Sequence, residues 1–403
     1  MHRYETNPAI EKYDTEGKSY IKEENQIGIY VHIPFCHSKC SYCDFVSFPR
    51  ATEATVNRYM NALFSEIQYW KENSPHAAVN SIFIGGGTPS SISPEWIEKL
   101  MRHLSESFSI AEDAEISMEA NPGTLTPDSI ESYKRAGINR ISLGLQSTQN
   151  EMLQTIGRMH SYETFLGSYQ WLRAAGIDNI NIDLIFGLPG QDLADWKKTL
   201  NKVMDLSPEH ISAYALKVEE GTPMADWVTR GLVHLPDEDT EREMYHFAIK
   251  HLAGAGYAQY ELSNFSRPGY LCRHNLIYWE NKPYLGIGLA AHSKRFGIRF
   301  ANTEDINEYC MQIEQGKDAV VEREPIDTDE DLFETIMLGL RLNRGLNIKQ
   351  IDRQYGIVFL ERYSDILKKL ERESLIVKTA DGIALTDLGR DLSNRVFLSF
   401  MND

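Results

Sequence analysis

Short apolar runs recur along the chain, and each is followed by a polar or glycine-rich turn and then by a helix-like segment. The runs are centred near Ile29, Ile82, Ile116, Ile141, Ile182 and Ile211. Their length and spacing predict six strand and helix units. One face of the first predicted helix carries Val56, Tyr59, Met60, Leu63, Phe64 and Ile67. This spacing is typical of an amphipathic helix that packs against a sheet.

Regular alternation of this kind requires parallel strands that are joined by right-handed crossovers. We therefore expect an α/β fold over residues 27–321: a partial (β/α)6 barrel of the TIM type, with its helices outside and an extension at its end. Residues 1–26 show no apolar periodicity and are expected to form a mobile N-terminal extension. In barrels of this kind, ligands collect at the carboxyl ends of the strands.

A different pattern begins at about residue 322, where helical periodicity is followed by two short apolar segments, 375–378 and 382–385. These segments predict a small β-wing, and Thr386 is the expected N-cap of a last helix. Residues 322–403 are therefore predicted to form a C-terminal winged-helix-like α+β domain. Residues 325–403 carry 11 basic and 14 acidic side chains, and this net negative charge argues against DNA binding.

Composition narrows the functional classes. The 403 residues are 42% hydrophobic and carry a formal charge of −17, with no long basic run that could follow a phosphate backbone. Nucleic acid is therefore not an expected partner. No stretch approaches the roughly 18 consecutive apolar residues of a membrane span, and the N-terminus is polar where a signal peptide is apolar. These features predict a cytoplasmic protein without a transmembrane segment.

Three of the five cysteines, Cys36, Cys40 and Cys43, lie within eight residues just after the first predicted strand. An odd number of cysteines, three of them close together, fits reduced metal-binding thiols better than a disulfide framework. Three thiolates on one loop can hold three corners of a cubane iron–sulfur cluster and leave the fourth iron open to a small molecule. The alternative is a structural zinc site, whose fourth ligand would be Cys272, Cys310 or His37.

The other predicted strands also end in polar or glycine-rich sequence. These turns contain Gly85-Gly86-Gly87-Thr88-Pro89, Glu119, Gln146, Asp183 and Tyr214-Ala215. A glycine run can be a tight turn, or it can allow a ligand's amino or carboxylate group to approach the backbone closely. Glu119 and Asp183 are either functional carboxylates or buried acids that backbone donors or an arginine satisfy.

A second group of candidate residues follows later in the chain, in Cys272-Arg-His274-Asn-Leu-Ile-Tyr278-Trp279 and then at His292. Its side chains suit a flat aromatic ligand. His274, His292 or Cys272 could bind a heme iron while Tyr278 and Trp279 stack on the porphyrin. Ordinary core packing of the two aromatic side chains is the alternative.

Together these segments resemble the radical S-adenosylmethionine superfamily, and within it the oxygen-independent coproporphyrinogen III oxidase family and its heme chaperone (HemW) branch. The resemblance covers about residues 27–400. It is carried by Tyr-x-His-Ile-Pro-Phe-Cys-x3-Cys-x2-Cys, the Gly-Gly-Gly-Thr-Pro run, Leu-Gly-Leu-Gln and Ile-Asp-Leu-Ile-Phe-Gly-Leu-Pro, in family order. It implies that the three clustered cysteines hold a [4Fe-4S] cluster whose open iron binds S-adenosylmethionine.

The resemblance also implies further cofactor-binding residues. Three positions match residues that line the first S-adenosylmethionine: Tyr30, Gly86 and Glu119. Others match residues that contact a second S-adenosylmethionine in the oxidase: Tyr42, Gly87, Thr88, Gln146, Arg158, Asp183 and Ala215. The implied chemistry is one-electron cleavage of the sulfonium, which requires an electron donor for the cluster.

One position separates the two branches. The oxidase carries a further cysteine two positions after the triplet, where this chain has Phe45, and the segment from His274 to Trp279 matches the HNxxYW signature of the heme chaperones. We therefore expect a protein that binds heme and transfers it to an acceptor protein. The alternative is a radical enzyme that decarboxylates coproporphyrinogen III, so the sequence leaves enzymatic activity open.

Overall fold

The structure is a computed structural model that describes residues 26–73 and 77–401. The predicted extension at residues 1–26 lies outside the described residues except for Gln26. Among the described residues, a sheet of twelve strands runs in the order β14-β13-β12-β11-β1-β4-β5-β6-β7-β8-β10-β9. Two smaller sheets have the orders β15-β17-β16 and β2-β3.

The strands have the following bounds: β1 Gln26–Ile33, β2 Phe35–Cys36, β3 Phe48–Pro49, β4 Ala78–Gly86, β5 Ser109–Ala120, β6 Arg140–Gln146, β7 Ile180–Phe186, β8 His210–Ala215, β9 Ala258–Gln259, β10 Asn264–Ser266, β11 Tyr284–Ile287, β12 His292–Arg295, β13 Ile298–Asn302, β14 Val320–Pro325, β15 Leu346–Asn347, β16 Ile376–Lys378 and β17 Gly382–Leu385.

The helices have the following bounds: α1 Glu53–Asn73, α2 Pro94–Ser107, α3 Pro127–Arg135, α4 Asn150–Thr155, α5 Tyr162–Ala174, α6 Leu193–Asp205, α7 Pro223–Thr229, α8 Glu238–Gly254, α9 Arg273–Trp279, α10 Ile306–Glu314, α11 Thr328–Gly339, α12 Ile348–Tyr355, α13 Phe359–Arg362, α14 Ser364–Arg372, α15 Asp387–Asp391 and α16 Ser393–Phe400. A short 3-10 helix covers Pro89–Ser91.

The six predicted parallel strands are confirmed as β1, β4, β5, β6, β7 and β8, which pair in that order. The sequence pattern missed the continuation of the sheet on both sides. Strand β11 adds in parallel to β1, and β12, β13 and β14 follow antiparallel. On the other side, β10 and β9 add antiparallel to β8. These edge strands are too short for their periodicity to stand out from the surrounding turns.

Alternation along the strands divides the sheet into two faces. In β1, Ile27, Ile29, Val31 and Ile33 are buried in the main hydrophobic core, which also contains Met60 and Leu63 of α1. The opposite face is lined with buried polar side chains: Ser81, Glu115, Ser117, Arg140, Ser142, Asn181, His210 and Ser212. Because the outer face supplies the apolar core, the interior of the partial barrel is free to carry polar groups.

The C-terminal domain has its own hydrophobic core, built from residues of α11 to α16 and the β15-β17-β16 sheet. The predicted wing is β16 paired antiparallel with β17, and the Thr386 side chain accepts a hydrogen bond from the Gly389 amide as the N-cap of α15. The predicted domain boundary at residue 322 falls within β14, the last strand of the main sheet. Lys294 of the main sheet joins the two domains through Asp331 at 2.8 Å and Glu334 at 2.9 Å.

Across residues 26–73 and 77–401, none of the helices combines the length and apolar character that crossing a bilayer requires.

Candidate functional site

A cavity lies at the carboxyl ends of the parallel strands, and we call it the inner cavity. Its lining includes Cys36, Cys40, Cys43, Tyr42, Gly86, Gly87, Thr88, Glu119, Gln146, Arg158 and Asp183. Parallel strands end at one edge of the sheet, which is why residues of the cysteine loop and of β4, β5, β6 and β7 meet here. Tyr30 and Ala215 are not part of this lining. Tyr30 lies on the inner face of β1, with its ring 6.4 Å from that of Phe83. Ala215 ends β8 next to Tyr214, which does line the cavity.

The loop that carries the three cysteines is pinned at both ends. The Phe48 amide donates to Pro34 O at 2.6 Å, and the Arg50 amide donates to Cys36 O at 2.9 Å. Strands β2 and β3 pair in parallel at the same place. The loop between them therefore projects from a closed base, which fixes where its three thiols stand.

The glycine run packs directly against this base. The Gly87 amide donates to Ile33 O at 2.9 Å, and the Thr88 amide donates to Phe35 O at 2.8 Å. A Cβ atom on Gly87 would lie only 2.7 Å from Phe35 O. Glycine is thus required for contact between the two segments.

Two polar side chains approach the thiols. Thr88 Oγ1 donates to Cys36 Sγ at 3.5 Å, and Arg158 Nη1 donates to Cys40 Sγ at 3.6 Å. Burial raises the pKa of the thiols of Cys36 and Cys43, so a metal must displace their protons when it binds. A donor set of three free, partly exposed thiols fits a cubane cluster with one open corner.

The two remaining cysteines do not join this set. Cys272 is fully buried, and its Sγ donates to Glu115 Oε1 at 3.5 Å. Cys310 is buried in α10, within the main hydrophobic core. Neither lines the inner cavity. Of the three predicted candidates for a fourth zinc ligand, only His37 lies on the cysteine loop.

The two predicted carboxylates differ in their surroundings. Glu119 is half-buried and accepts the Gly86 amide at 3.2 Å. Burial and the nearby charge of Asp183 raise the pKa of Glu119 to about 7. Asp183 accepts hydrogen bonds from Ser142 Oγ at 2.8 Å and Asn181 Nδ2 at 2.7 Å. Neutral side-chain donors therefore satisfy Asp183, and no arginine does so in the described part of the chain.

Gln146 ends β6 with a φ of 70°, in the left-handed region that residues other than glycine rarely adopt. Tyr214 OH donates to its Oε1 at 3.3 Å. Backbone strain of this kind persists only where the surroundings hold it, and it is concentrated at functional sites. Gln146 lines the inner cavity.

The HNxxYW segment forms α9, which packs inside the partial barrel. His274 is 1% exposed and stacks on Phe83 with ring centroids 5.3 Å apart. Both of its ring nitrogens are occupied, Nδ1 by Ser81 Oγ at 2.9 Å and Nε2 by Tyr278 OH at 2.9 Å. Burial and the charge of Arg140 lower the pKa of His274 to about 3, so the ring is neutral. In this arrangement the histidine links α9 to β4.

The other candidates of this group are spread out. Tyr278 packs edge-on against Tyr284, with centroids 4.8 Å apart. Trp279 faces the C-terminal domain, where the Arg341 guanidinium lies 5.4 Å from its ring centroid. His292 is exposed on β12. The structure therefore brings His274 and Tyr278 together in the barrel interior, and it places Trp279 and His292 elsewhere.

A second cavity of about 200 Å³ adjoins the inner cavity and shares Cys40, Thr88 and Arg158 with it, and we call it the outer cavity. Its lining includes His37, Cys40, Thr124, Arg158, Met159 and His160. The sequence analysis named Cys40 and Arg158 as cofactor-binding residues and His37 as a possible zinc ligand, and it assigned no function to Thr124, Met159 or His160. One sequence feature could have indicated this cavity: Met159 and His160 directly follow the predicted site residue Arg158.

Two family models match the chain. The model described as the radical SAM superfamily matches residues 30–203, and the one described as the HemN C-terminal domain matches residues 326–392. The chain is also 35% identical over 375 residues to the heme chaperone HemW of Bacillus subtilis, covering 93% of this chain and 99% of that protein. With the heme chaperone HemW of Lactococcus lactis it shares 34% identity over 374 residues, covering 93% and 97%.

A solved structure, the coproporphyrinogen III oxidase HemN of Escherichia coli, superposes with a TM-score of 0.83 and covers 100% of both chains. Its sequence identity is 23%. The match confirms the predicted fold over both domains.

Proposed function

The chain belongs to the radical SAM superfamily and, within it, to the family of the heme chaperones HemW, and from this membership we propose that it binds heme and transfers it to an acceptor protein. The relatives from Bacillus subtilis and Lactococcus lactis, which match more than nine-tenths of its length, carry this name. The three free thiols at the mouth of a barrel with a radical SAM fold are the observation that best supports the cofactor part of the proposal.

In this proposal, Cys36, Cys40 and Cys43 hold a [4Fe-4S] cluster. When bound, the reduced cluster supplies the electron that cleaves the sulfonium of S-adenosylmethionine. Gly86 lines the inner cavity beside the thiols, and we assign it, together with Tyr30 and Glu119, to this S-adenosylmethionine. From the family match we assign Tyr42, Gly87, Thr88, Gln146, Arg158, Asp183 and Ala215 to a second S-adenosylmethionine.

Electrostatics supports a cationic ligand on one side of the inner cavity. The carboxyl groups of Glu119 and Asp183 line this cavity. The sulfonium and amino groups of S-adenosylmethionine carry positive charge. Arg158 lies on the other side, where its guanidinium contacts Cys40 Sγ and donates to Gly144 O at 3.1 Å. A fixed positive charge beside a thiol favours the thiolate that a cluster needs.

Heme transfer requires an acceptor protein, and reduction of the cluster requires an electron donor. Both belong to the proposal, as does a cytoplasmic location, where thiols stay reduced. We do not expect nucleic acid as a partner because of the strong negative charge of the chain.

Oxidative decarboxylation of coproporphyrinogen III is the second candidate function, because Gln146, Arg158 and Asp183 all line the inner cavity. Phe45 argues against it. This side chain stands 63% exposed at the edge of the same cavity, at the position where the oxidase branch keeps a cysteine.

The decisive experiment combines two assays on the full chain after anaerobic cluster reconstitution. Hemin is titrated in the first, and a saturable Soret band is expected, followed by transfer of that band to an added apo-hemoprotein. Coproporphyrinogen III, S-adenosylmethionine and a reductant are supplied in the second, and no protoporphyrinogen is expected. Absence of saturable hemin binding contradicts the chaperone, and repeated turnover in the second assay establishes the oxidase.

A further inference from the structure

His32 is a buried side chain beside the site that no role assigned so far uses. It follows Tyr30 on the same face of β1 and is 5% exposed. Tyr59 OH donates to His32 O at 2.7 Å and accepts a hydrogen bond from the Leu289 amide at 3.1 Å. These bonds join the end of β1 to α1 and to the segment after β11. The core of the barrel therefore fixes where the imidazole stands.

The imidazole ring lies between three parts of the candidate site. Its Nε2 is 2.9 Å from Val46 O, which belongs to the cysteine loop and comes three residues after Cys43. Its Nδ1 is 3.0 Å from Tyr30 OH. A Cβ atom on Gly86 would lie only 2.5 Å from the ring, so the glycine run packs directly against it. One rigid side chain thus contacts the loop, the glycine run and Tyr30.

The partners of the ring determine its tautomer. The carbonyl oxygen of Val46 can only accept, so Nε2 carries the proton and donates it. Burial lowers the pKa of His32, which keeps the ring neutral with this single proton. Nδ1 is therefore an acceptor, and the Tyr30 hydroxyl donates to it. Burial raises the pKa of Tyr30, so the phenol keeps the proton that this bond requires.

The direction of this bond decides what Tyr30 can offer to a ligand. Because its one proton is directed to Nδ1 of His32, the phenolic oxygen presents only lone pairs to other groups. Such an oxygen suits the ammonium group of S-adenosylmethionine and not its carboxylate. The nearby charge of Glu119 also raises the pKa of Tyr30, and a negative charge at this place favours the same cationic group.

We propose that His32 is a positioning residue with two separable tasks. Its Nε2 anchors the part of the cysteine loop that follows Cys43, and its Nδ1 orients the Tyr30 hydroxyl to accept a hydrogen bond from the ammonium group of S-adenosylmethionine. A neutral imidazole has one donor and one acceptor nitrogen, so a single side chain can perform both tasks. This inference rests on the proposed function, from which the cluster and this S-adenosylmethionine are taken.

Two amide variants of the full chain separate the tasks. Asparagine ends near the position of Nδ1, so His32→Asn keeps an acceptor for Tyr30 and loses the anchor at Val46. After anaerobic reconstitution, it should release iron to a chelator about tenfold faster than the parent. Its affinity for S-adenosylmethionine, measured by calorimetry per bound cluster, should equal that of the parent.

Glutamine reaches the position of Nε2, so His32→Gln keeps the anchor and loses the acceptor for Tyr30. It should release iron at the parental rate and bind S-adenosylmethionine about fivefold more weakly, the factor expected for one hydrogen bond. Tyr30→Phe removes the accepting oxygen and should weaken binding by at least as much.

His210→Gln is the matched control. His210 is fully buried, and both of its nitrogens are hydrogen-bonded, Nδ1 to Asn181 Oδ1 at 2.6 Å and Nε2 to Tyr260 OH at 2.9 Å. It does not line the inner cavity. This variant should lower the urea midpoint and leave iron release and S-adenosylmethionine affinity unchanged. A histidine that only supports the fold would behave in the same way at position 32.

The tautomer is measured on the parent chain, so this part of the test does not depend on how the variants fold. Nitrogen NMR of the cluster-free chain with isotope-labelled histidine should show His32, assigned by its shift in Tyr30→Phe, protonated at Nε2 and bare at Nδ1. A protonated Nδ1 overturns the proposal, and so do equal effects of His32→Asn and His32→Gln on iron release and on affinity. A parent that takes up no cluster or binds no S-adenosylmethionine instead refutes the proposed function.

Discussion

Replacing Gly87 by alanine tests the contact that positions the cysteine loop. The added Cβ would lie 2.7 Å from Phe35 O and 2.9 Å from both Ile33 O and Phe35 N, whereas ordinary contact begins at 3.4 Å. The neighbouring backbone must therefore retreat by about 0.7 Å at the closest atom, the difference between those two distances. All three atoms belong to the backbone, so no side chain can rotate away.

The energetic cost follows from that rigidity. Overpacking in a well-packed region costs about 1–3 kcal/mol, and we expect the upper part of this range for Gly87→Ala. Cys36 comes directly after Phe35, so the displacement also moves one of the three thiols. We therefore expect a lower urea midpoint for the cluster-free chain and, separately, less iron and sulfide per chain after anaerobic reconstitution.

Gly167 provides the matched control. It lies within α5, and a Cβ atom there would meet nothing within 4 Å. Gly167→Ala should leave reconstitution unchanged and stabilise the chain by about 0.5–1 kcal/mol, because alanine favours a helix interior. Parental stability and full iron content in Gly87→Ala would refute the packing argument, since the backbone would then have absorbed the contact freely.

Three further predictions concern buried or metal-binding groups. Cys40→Ser should lose most of its cluster iron, because two thiolates rarely hold a cubane, while Cys310→Ser keeps it; equal iron in both refutes the assignment. Because folding raises the pKa of Glu119 to about 7, its carboxyl group stays protonated at pH values at which it is ionised in the unfolded chain. The unfolding free energy of the cluster-free chain should therefore fall, by at most about 3 kcal/mol, as the pH rises from about 4.5 to 7. Glu119→Gln should remove this fall of the unfolding free energy with pH. The same pH dependence in the parent and in Glu119→Gln would contradict the prediction. Glu66 is 3% exposed and accepts bonds from Gly288 N, Asn302 Nδ2 and Tyr309 OH. Glu66→Ala should cost at least about 3 kcal/mol in urea unfolding because these donors lose their acceptor; a change below about 1 kcal/mol would refute this.

Much of the fold could be predicted because the relevant signals are local. Each parallel strand shows an apolar run that ends in a turn, and α1 shows its apolar face within a few residues. The short edge strands could not be found in this way. Strand β9 has two residues and β10 has three. Such short segments form strands because β8 offers unpaired backbone groups to β10, and β10 in turn offers them to β9.

The candidate site, like the fold, could be predicted only in part. The sequence placed Gly86, Gly87, Glu119 and Gln146 at strand ends, and the structure brings them to one cavity. It could not show that Asp183 accepts a hydrogen bond from Ser142, because this contact joins the neighbouring strands β6 and β7. Local spacing carries no information about which side chains meet across a sheet.

The sequence by itself determined the parallel barrel and the three-thiol loop, because periodicity and ligand spacing are properties of short segments. Only the tertiary structure decided which candidate ligands are free. It occupies both nitrogens of His274 within the barrel, and it leaves the three thiols of the cysteine loop free beside the ends of the parallel strands. The physical reason is that the availability of a polar group depends on its hydrogen-bond partners, and packing chooses those partners from the whole chain.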